Sequence, residues 1–168
     1  MDTGSLTIRA AGKSDLPQLL DLYRELQPDD PVLTLGSASP HMDQILAHPG
    51  MTLLIATVDQ LAVATITLIV IPNLTRGGAP YGLMENVVTA KAHRKRGYAG
   101  ALIQHGFEIA WKADCYKVML LSGSTDPETL DFYRNCGFVQ NKTGFQIRRP
   151  SGEPVRASSC AHAIVIGR

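Results

Sequence analysis

From Tyr81 to Ser122 the chain reads as an apolar strand, a basic junction, an amphipathic helix and a second apolar strand. Two strands joined through a helix at this spacing form a βαβ unit, whose crossover makes the strands parallel neighbours in one sheet. The strands are expected over Tyr81 to Thr89 and Lys117 to Ser122. Between them Ala99, Leu102, Ile103, Gly106, Phe107, Ala110 and Ala113 share one helical face, with small residues suited to close packing on a sheet. The junction KAHRKR, Lys91 to Arg96, therefore lies beyond a strand's carboxyl end and before a helix. Ligands of α/β sheets bind at the first of these places and anions at the second.

The rest of the chain supplies elements for that unit to join. Ser5 to Ala10 can form a first strand, and Leu16, Leu19, Leu20, Tyr23 and Leu26 follow one helix face, with Ser14 or Asp15 as its cap. Residues 27–40 read as a loop, and Ser39-Pro40 as the start of a second helix that stops at Pro49-Gly50. Met51 to Val58 and Leu61 to Ile71, rich in Ile, Val, Leu and Thr, flank Asp59-Gln60 as an antiparallel hairpin. PNLTRGGAP makes a loop before Tyr81. A last helix is capped by Asp126, carries Pro127 in its first turn and ends at Gly137 in the left-handed conformation.

A chain of 168 residues fits one domain that buries enough surface to stand without disulfides or metal. Hydrophobic residues are 45% and charged ones 18% of the chain, which excludes a disordered protein. Net charge is +1, so the basic cluster is a local feature with a local partner rather than part of a broad cationic surface. Cys115, Cys136 and Cys160 form neither a disulfide framework nor a zinc knuckle, and a reducing cytoplasm is expected. His41, His48, His93, His105 and His162 lack metal-ligand spacing, so no metal is expected. The longest apolar run, Leu61 to Pro72, is about half a membrane span, so no membrane association is expected.

At the junction, Gly97 lets the backbone approach a ligand closely or take φ > 0. The free N–H groups of residues 96–100 would face an oxyanion with the helix dipole behind them. No GxxxxGK[ST] occurs, and GYAG is not GxGxxG, so neither a P-loop nor a dinucleotide fold is indicated. A solvated basic loop explains the charge equally well, and the surrounding elements have to decide.

Arg94, Gly97 and Ala99 form RxxGxA, and Phe132 to Phe138 reads FYRNCGF. In this order, and with this succession of elements over residues 5–148, the chain resembles the GNAT family of acetyl-CoA-dependent N-acetyltransferases. Glu85, the triplet Cys115-Tyr116-Lys117 and QIRR at 146–149 further resemble its glucosamine-phosphate branch. The resemblance implies an α+β fold over residues 1–150, with a central mixed, mostly antiparallel twisted sheet flanked by helices on both faces. Residues 151–168 are then an unassigned extension.

The resemblance also implies roles. Acetyl-CoA would lie along Val87, Val88 and Thr89, with its pyrophosphate on Arg94, Lys95, Arg96, Gly97, Tyr98, Ala99 and Gly100. A backbone N–H near Val87 or Val88 would hold the oxyanion, Tyr133 would protonate the leaving thiolate, and Tyr116, Lys117 and Arg148 would hold an anionic substrate. Glu85 at the strand end is a candidate base, with a structural hydrogen bond as its bland alternative. Cys136, without a legible His and carboxylate partner, reads as structural rather than nucleophilic. The acceptor, a small-molecule amine, would lie between the first helices and the sheet, where Asp29 and Asp30 could attract it. The same branch makes a homodimer plausible. Two alternatives stay open: a nucleic-acid-binding module using residues 91–97, disfavoured by the near-zero charge, and a CoA-binding sensor without turnover.

Overall fold

The computed structural model describes residues 5–148. Its five strands are β1 (Leu6–Ala10), β2 (Met51–Val58), β3 (Leu61–Ile71), β4 (Tyr81–Thr89) and β5 (Val118–Leu120), hydrogen-bonded in that order in one sheet. Every neighbouring pair is antiparallel except β4 and β5, which are parallel. Helices α1 (Leu16–Leu26) and α2 (Leu35–Ala47) cover one face, while α3 (Tyr98–Lys112) and α4 (Pro127–Asn135) lie on the other. This is the expected α+β architecture.

Two cores follow from the alternation of side chains along the strands. On one face Leu53, Ile55, Ala62 and Val88 meet Leu19, Leu22 and Met42. On the other, Leu54, Ala64, Ile66, Leu68 and Met84 meet Leu102, Ile103 and Ala110. The close approach of α3 depends on Gly106, where a Cβ would stand 2.6 Å from Met84 Cε and 3.3 Å from Ile66 Cδ1. The β2–β3 turn carries Asp59 at φ 49° and Gln60 at φ 67°, the two left-handed residues of a two-residue hairpin whose twist matches its strands.

Three local expectations change. Helix α2 begins at Leu35, not Pro40, because Thr34 and Ser37 form a reciprocal capping box with Ser37 N donating to Thr34 Oγ1 at 3.2 Å. Pro40 then sits inside the helix and forgoes one backbone bond. Asp15 does not cap α1 with its side chain; its carboxylate accepts from both Arg9 Nη atoms, at 2.6 and 2.8 Å, and from Gly12 N at 2.8 Å. The second parallel strand is shorter than Lys117 to Ser122, since its ladder to β4 ends at the Met84–Leu120 pair. No strand follows α4 among the described residues, and the extension at 151–168, with AIVI, lies outside them.

Candidate active site

β4 organises the site, and Glu85 stands at its centre rather than at the expected strand end. Thr67 pairs with Glu85 and Thr65 with Val88, so Asn86 and Val87 together oppose Ile66 in a β-bulge. Asn86 takes φ 53°, a conformation that Asn tolerates better than most side chains. Beyond Met84 no strand pairs with β4 on the β5 side among the described residues, so the edge along Val87, Val88 and Thr89 is open to a ligand that can add like a strand. The bulge also sorts the side chains. Glu85 shares a face with its partner Thr67, on the α1 side, whereas Val87 packs toward the α3 core.

The open edge leads into the junction. Lys91–His93 form one tight turn, Lys95 has φ 60° and Gly97 φ 82°. A Cβ on Gly97 would meet nothing within 4 Å, so its glycine is required by backbone conformation rather than by crowding. The first bond of α3 runs from Ala101 N to Gly97 O at 3.0 Å, leaving the N–H groups of Tyr98, Ala99 and Gly100 without an intrahelical acceptor. A 15-residue helix dipole stands behind them. The structure thus brings Arg94 to Gly100 around one helix start. Arg94 Nε donates to Thr89 O at 3.3 Å, and Arg96 is exposed beside it.

Three contacts at this loop had no sequence signal strong enough to find them. Glu25, in the last turn of α1, accepts a hydrogen bond from Lys91 N at 2.6 Å and ties that helix to the loop across 66 residues of chain. Lys95 Nζ meets Glu128 Oε1 at 2.7 Å, linking the loop to the first turn of α4, and this hydrogen bond raises the Lys95 pKa. His93 has its Nδ1 buried without a hydrogen-bond partner among the described residues, and its ring lies 6.3 Å from that of Tyr98.

Helix α4 is built as its sequence suggests. Asp126 accepts from Glu128 N and Thr129 N, and Gly137 at φ 102° closes the helix. Gly137 N donates to Arg134 O at 2.9 Å and Phe138 N to Tyr133 O at 3.1 Å, the two bonds of a Schellman motif. Tyr133 is half-buried against Phe132 and Phe138, at ring distances of 5.1 and 6.1 Å. Burial, with a smaller contribution from Cys136, pushes its pKa upward, so it stays a protonated donor at neutral pH. Burial also raises the Cys136 thiol, which opposes a nucleophilic thiolate there. Tyr133 and Glu85 approach β4 from opposite faces of the sheet.

On the Glu85 face, a cavity of about 230 Å³ opens between α1, the loop that follows it and Asn86 of the bulge. Tyr23 lines it, and burial raises the pKa of that hydroxyl while the Thr67 and Thr65 hydroxyls lower it in part. Asp30 belongs to the same lining; Asp29 does not. Tyr116 and Lys117 are elsewhere. Tyr116 N donates to Pro80 O and Gly82 N to Lys117 O, which puts both at the start of β4, roughly 13 Å along the strand from Glu85. There Lys117 Nζ stands 5.2 Å over the Tyr81 ring and Arg76 5.8 Å over Tyr116. Arg148 is exposed, with no ion pair among the described residues.

Residues 18–138 match the sequence profile described as "Acetyltransferase (GNAT) family". The chain belongs to the GNAT acetyltransferase family. A glucosamine 6-phosphate N-acetyltransferase of Trypanosoma brucei brucei is 30% identical to it over 139 residues, covering 82% of this chain and 91% of that protein. A protein of Oryza sativa subsp. japonica named "Probable glucosamine 6-phosphate N-acetyltransferase 2" is 40% identical over 77 residues, which span less than half of either chain, 46% of this one and 45% of the relative. Among solved structures, "Putative acetyltransferase from Agrobacterium tumefaciens str. C58" is 53% identical, covers 85% of this chain and 99% of its own, and superposes with a TM-score of 0.83. This GNAT protein is accordingly an acyltransferase, and acetyltransferases of its family use acetyl-CoA. No helix among the described residues is long and apolar enough to cross a membrane.

Proposed function

We propose that this GNAT protein moves the acetyl group of acetyl-CoA to a primary amine of a small molecule by direct attack in a ternary complex. One observation carries the reading: the open edge of β4 runs straight into a helix start opened by Gly97, with an acceptor cavity on the other face of the same bulge. Pantetheine lies along Val87, Val88 and Thr89, and the pyrophosphate rests on the N–H groups and cations from Arg94 to Gly100.

The amine arrives as an ammonium with a pKa near 10.4, so freeing its lone pair at pH 7 costs roughly 4 kcal/mol. Glu85 accepts that proton directly or through water. The nitrogen attacks the thioester carbon, and the oxygen gains charge beside the β4 N–H groups near Val87 and Val88, a donor worth a few kcal/mol. The C–S bond then breaks toward sulfur, the thiolate takes its proton from Tyr133, and the second proton shed by the nitrogen as it becomes an amide returns through water to the Tyr133 phenolate. The two proton transfers occur on opposite faces of β4.

A second reading of the acceptor, an amino sugar or its phosphate, is favoured by the names of the two curated relatives. Tyr116, Lys117 and Arg148 supply cations and an aromatic for it. A homodimer is supported by the bare apolar side chains of Val139, Phe145 and Ile147 on the segment after α4, the last two more than 90% exposed. A cytoplasmic location is supported by Cys115 and Cys136, which form no disulfide among the described residues. Acetyl-CoA, acting as cosubstrate without a metal, completes the proposal.

A panel of primary amines assayed for CoA thiol release tests the activity, with Glu85→Gln alongside. Turnover of at least one amine, reduced about 100-fold or more in the variant, is expected. Tight acetyl-CoA binding without thiol release from any amine would instead identify a sensor. Salt-sensitive RNA binding without acetyl-CoA affinity would favour the nucleic-acid alternative.

A further inference from the structure

We infer that the cavity at the Asn86 bulge takes the acceptor as an uncharged-bodied alkyl or arylalkyl primary amine, with no anionic group. The inference rests on the acetyltransferase reading and concerns only what the acceptor carries besides its nitrogen.

The cavity wall is the argument. Leu20, Leu26, Pro31, Val32 and Leu33 line it, and at about 230 Å³ it is smaller than the roughly 300–1,000 Å³ of drug-sized sites. Its neutral polar groups include the Tyr23 hydroxyl and Asn86. Its one carboxylate, Asp30, has no ion-pair or side-chain hydrogen-bond partner among the described residues. Its one cation, Arg24, pairs with Asp21 at 2.7 Å. An ammonium entering this space meets an unpaired carboxylate, and the carbon chain behind it meets leucine. A phosphate dianion would instead face the Asp30 carboxylate, with Arg24, shared with Asp21, as the one cation of the wall. Lys117 and Arg76, the cations nearest in character to a phosphate site, are stacked on Tyr81 and Tyr116 at the far end of β4.

The location is right for transfer. Asn86 follows Glu85 directly, and Tyr23 reaches the Thr65 and Thr67 hydroxyls, the second of which is the cross-strand partner of Glu85. An amine lodged here lies on the base's side of the strand, beside the open edge of β4.

Unbranched alkylamines from ethylamine to hexylamine, with phenethylamine, provide the test on the full chain, against glucosamine and glucosamine 6-phosphate. Alkylamines share one pKa, so the slope of kcat/KM along the series reads the pocket and not the nucleophile. We expect a rise of about fourfold per methylene until the cavity is filled. At the optimum length the alkylamine should exceed glucosamine 6-phosphate about tenfold or more. In Leu33→Asp, a half-exposed position of the cavity lining, the slope along the series should flatten. In Asp30→Asn, KM should rise for every alkylamine. A flat series, or a kcat/KM for glucosamine 6-phosphate above that of every alkylamine, overturns this assignment and leaves the acetyltransferase standing. Absence of thiol release from all amines, with acetyl-CoA still bound, overturns both.

Discussion

Replacing Tyr133 with Phe removes one oxygen atom and leaves the ring where it is. The ring packs on Phe132 and Phe138, and the hydroxyl makes no hydrogen bond to the protein among the described residues, so stability should move by no more than about 0.5 kcal/mol. The catalytic loss is a separate quantity. A thiol has a pKa near 8.5 and an ordinary tyrosine one near 10, so complete proton transfer is uphill by about 2 kcal/mol. Burial raises Tyr133 further and steepens that climb. The transfer is therefore useful only while the C–S bond is breaking, when charge on sulfur is largest, and positioned acids of this kind contribute 100- to 10,000-fold, order of magnitude about 2.7 kcal/mol or more.

The assay is CoA thiol release at saturating acetyl-CoA with a working amine, measured across alkaline pH. The native protein should lose kcat only above pH 10, as the raised phenol ionises, and Tyr133→Phe should have a kcat lower by about 100-fold with no such limb. KM for acetyl-CoA should change by less than about threefold, since the hydroxyl is asked to act only in the transition state. A folded variant with kcat within about threefold of native would refute the assignment and leave water or solvent buffer as the proton source.

Other outcomes follow from single contacts. Gly97→Ala forces a Cβ into φ 82°, a strain of about 1–2 kcal/mol; acetyl-CoA KM should rise about 5- to 30-fold while the urea midpoint falls slightly. Gly106→Val brings branched carbon against Met84 and Ile66 and should cost about 1–3 kcal/mol in urea unfolding, whereas Gly106→Ala should cost less because only the flexible end of Met84 has to move far and Ile66 Cδ1 gives slightly. Asp15 has its pKa lowered, first by the Arg9 hydrogen bonds, so its contribution is present above the unfolded value near 3.9 and lost as pH falls through the folded one. Asp15→Asn should thus lower the urea midpoint at pH 7 and shrink the native loss of stability below pH 4; an unchanged acid limb would show that the ion pair contributes nothing.

Local chemistry made much of the fold legible. The Asp126-Pro127 start and Gly137 stop of α4 are capping groups whose effect reaches only one turn, so chain order suffices to read them. The same holds for the hairpin at Asp59-Gln60 and for the helix face of α3. Pro40, a common first helical residue, points to a late start for α2, while the Thr34–Ser37 capping box is equally local and has the stronger claim. Asp15 departs from a capping role for another reason: its partner Arg9 is on β1, and a bidentate charged pair outcompetes a single cap bond.

By itself, then, the order of residues determined the parallel β4–β5 pair, the position of the basic loop at the start of α3 and the need for glycine at position 97, because each depends on torsions and hydrogen bonds within a few residues. Tertiary structure decided what meets at β4. Only the packed sheet shows that the bulge at Asn86 places Glu85 toward α1 and Val87 toward α3, that Glu25 buttresses the loop at Lys91, and that Tyr116 and Lys117 sit at the far end of the strand. Facing, register and long-range contact are set by the sum of many weak burials across the two cores, and no short stretch of sequence contains that sum.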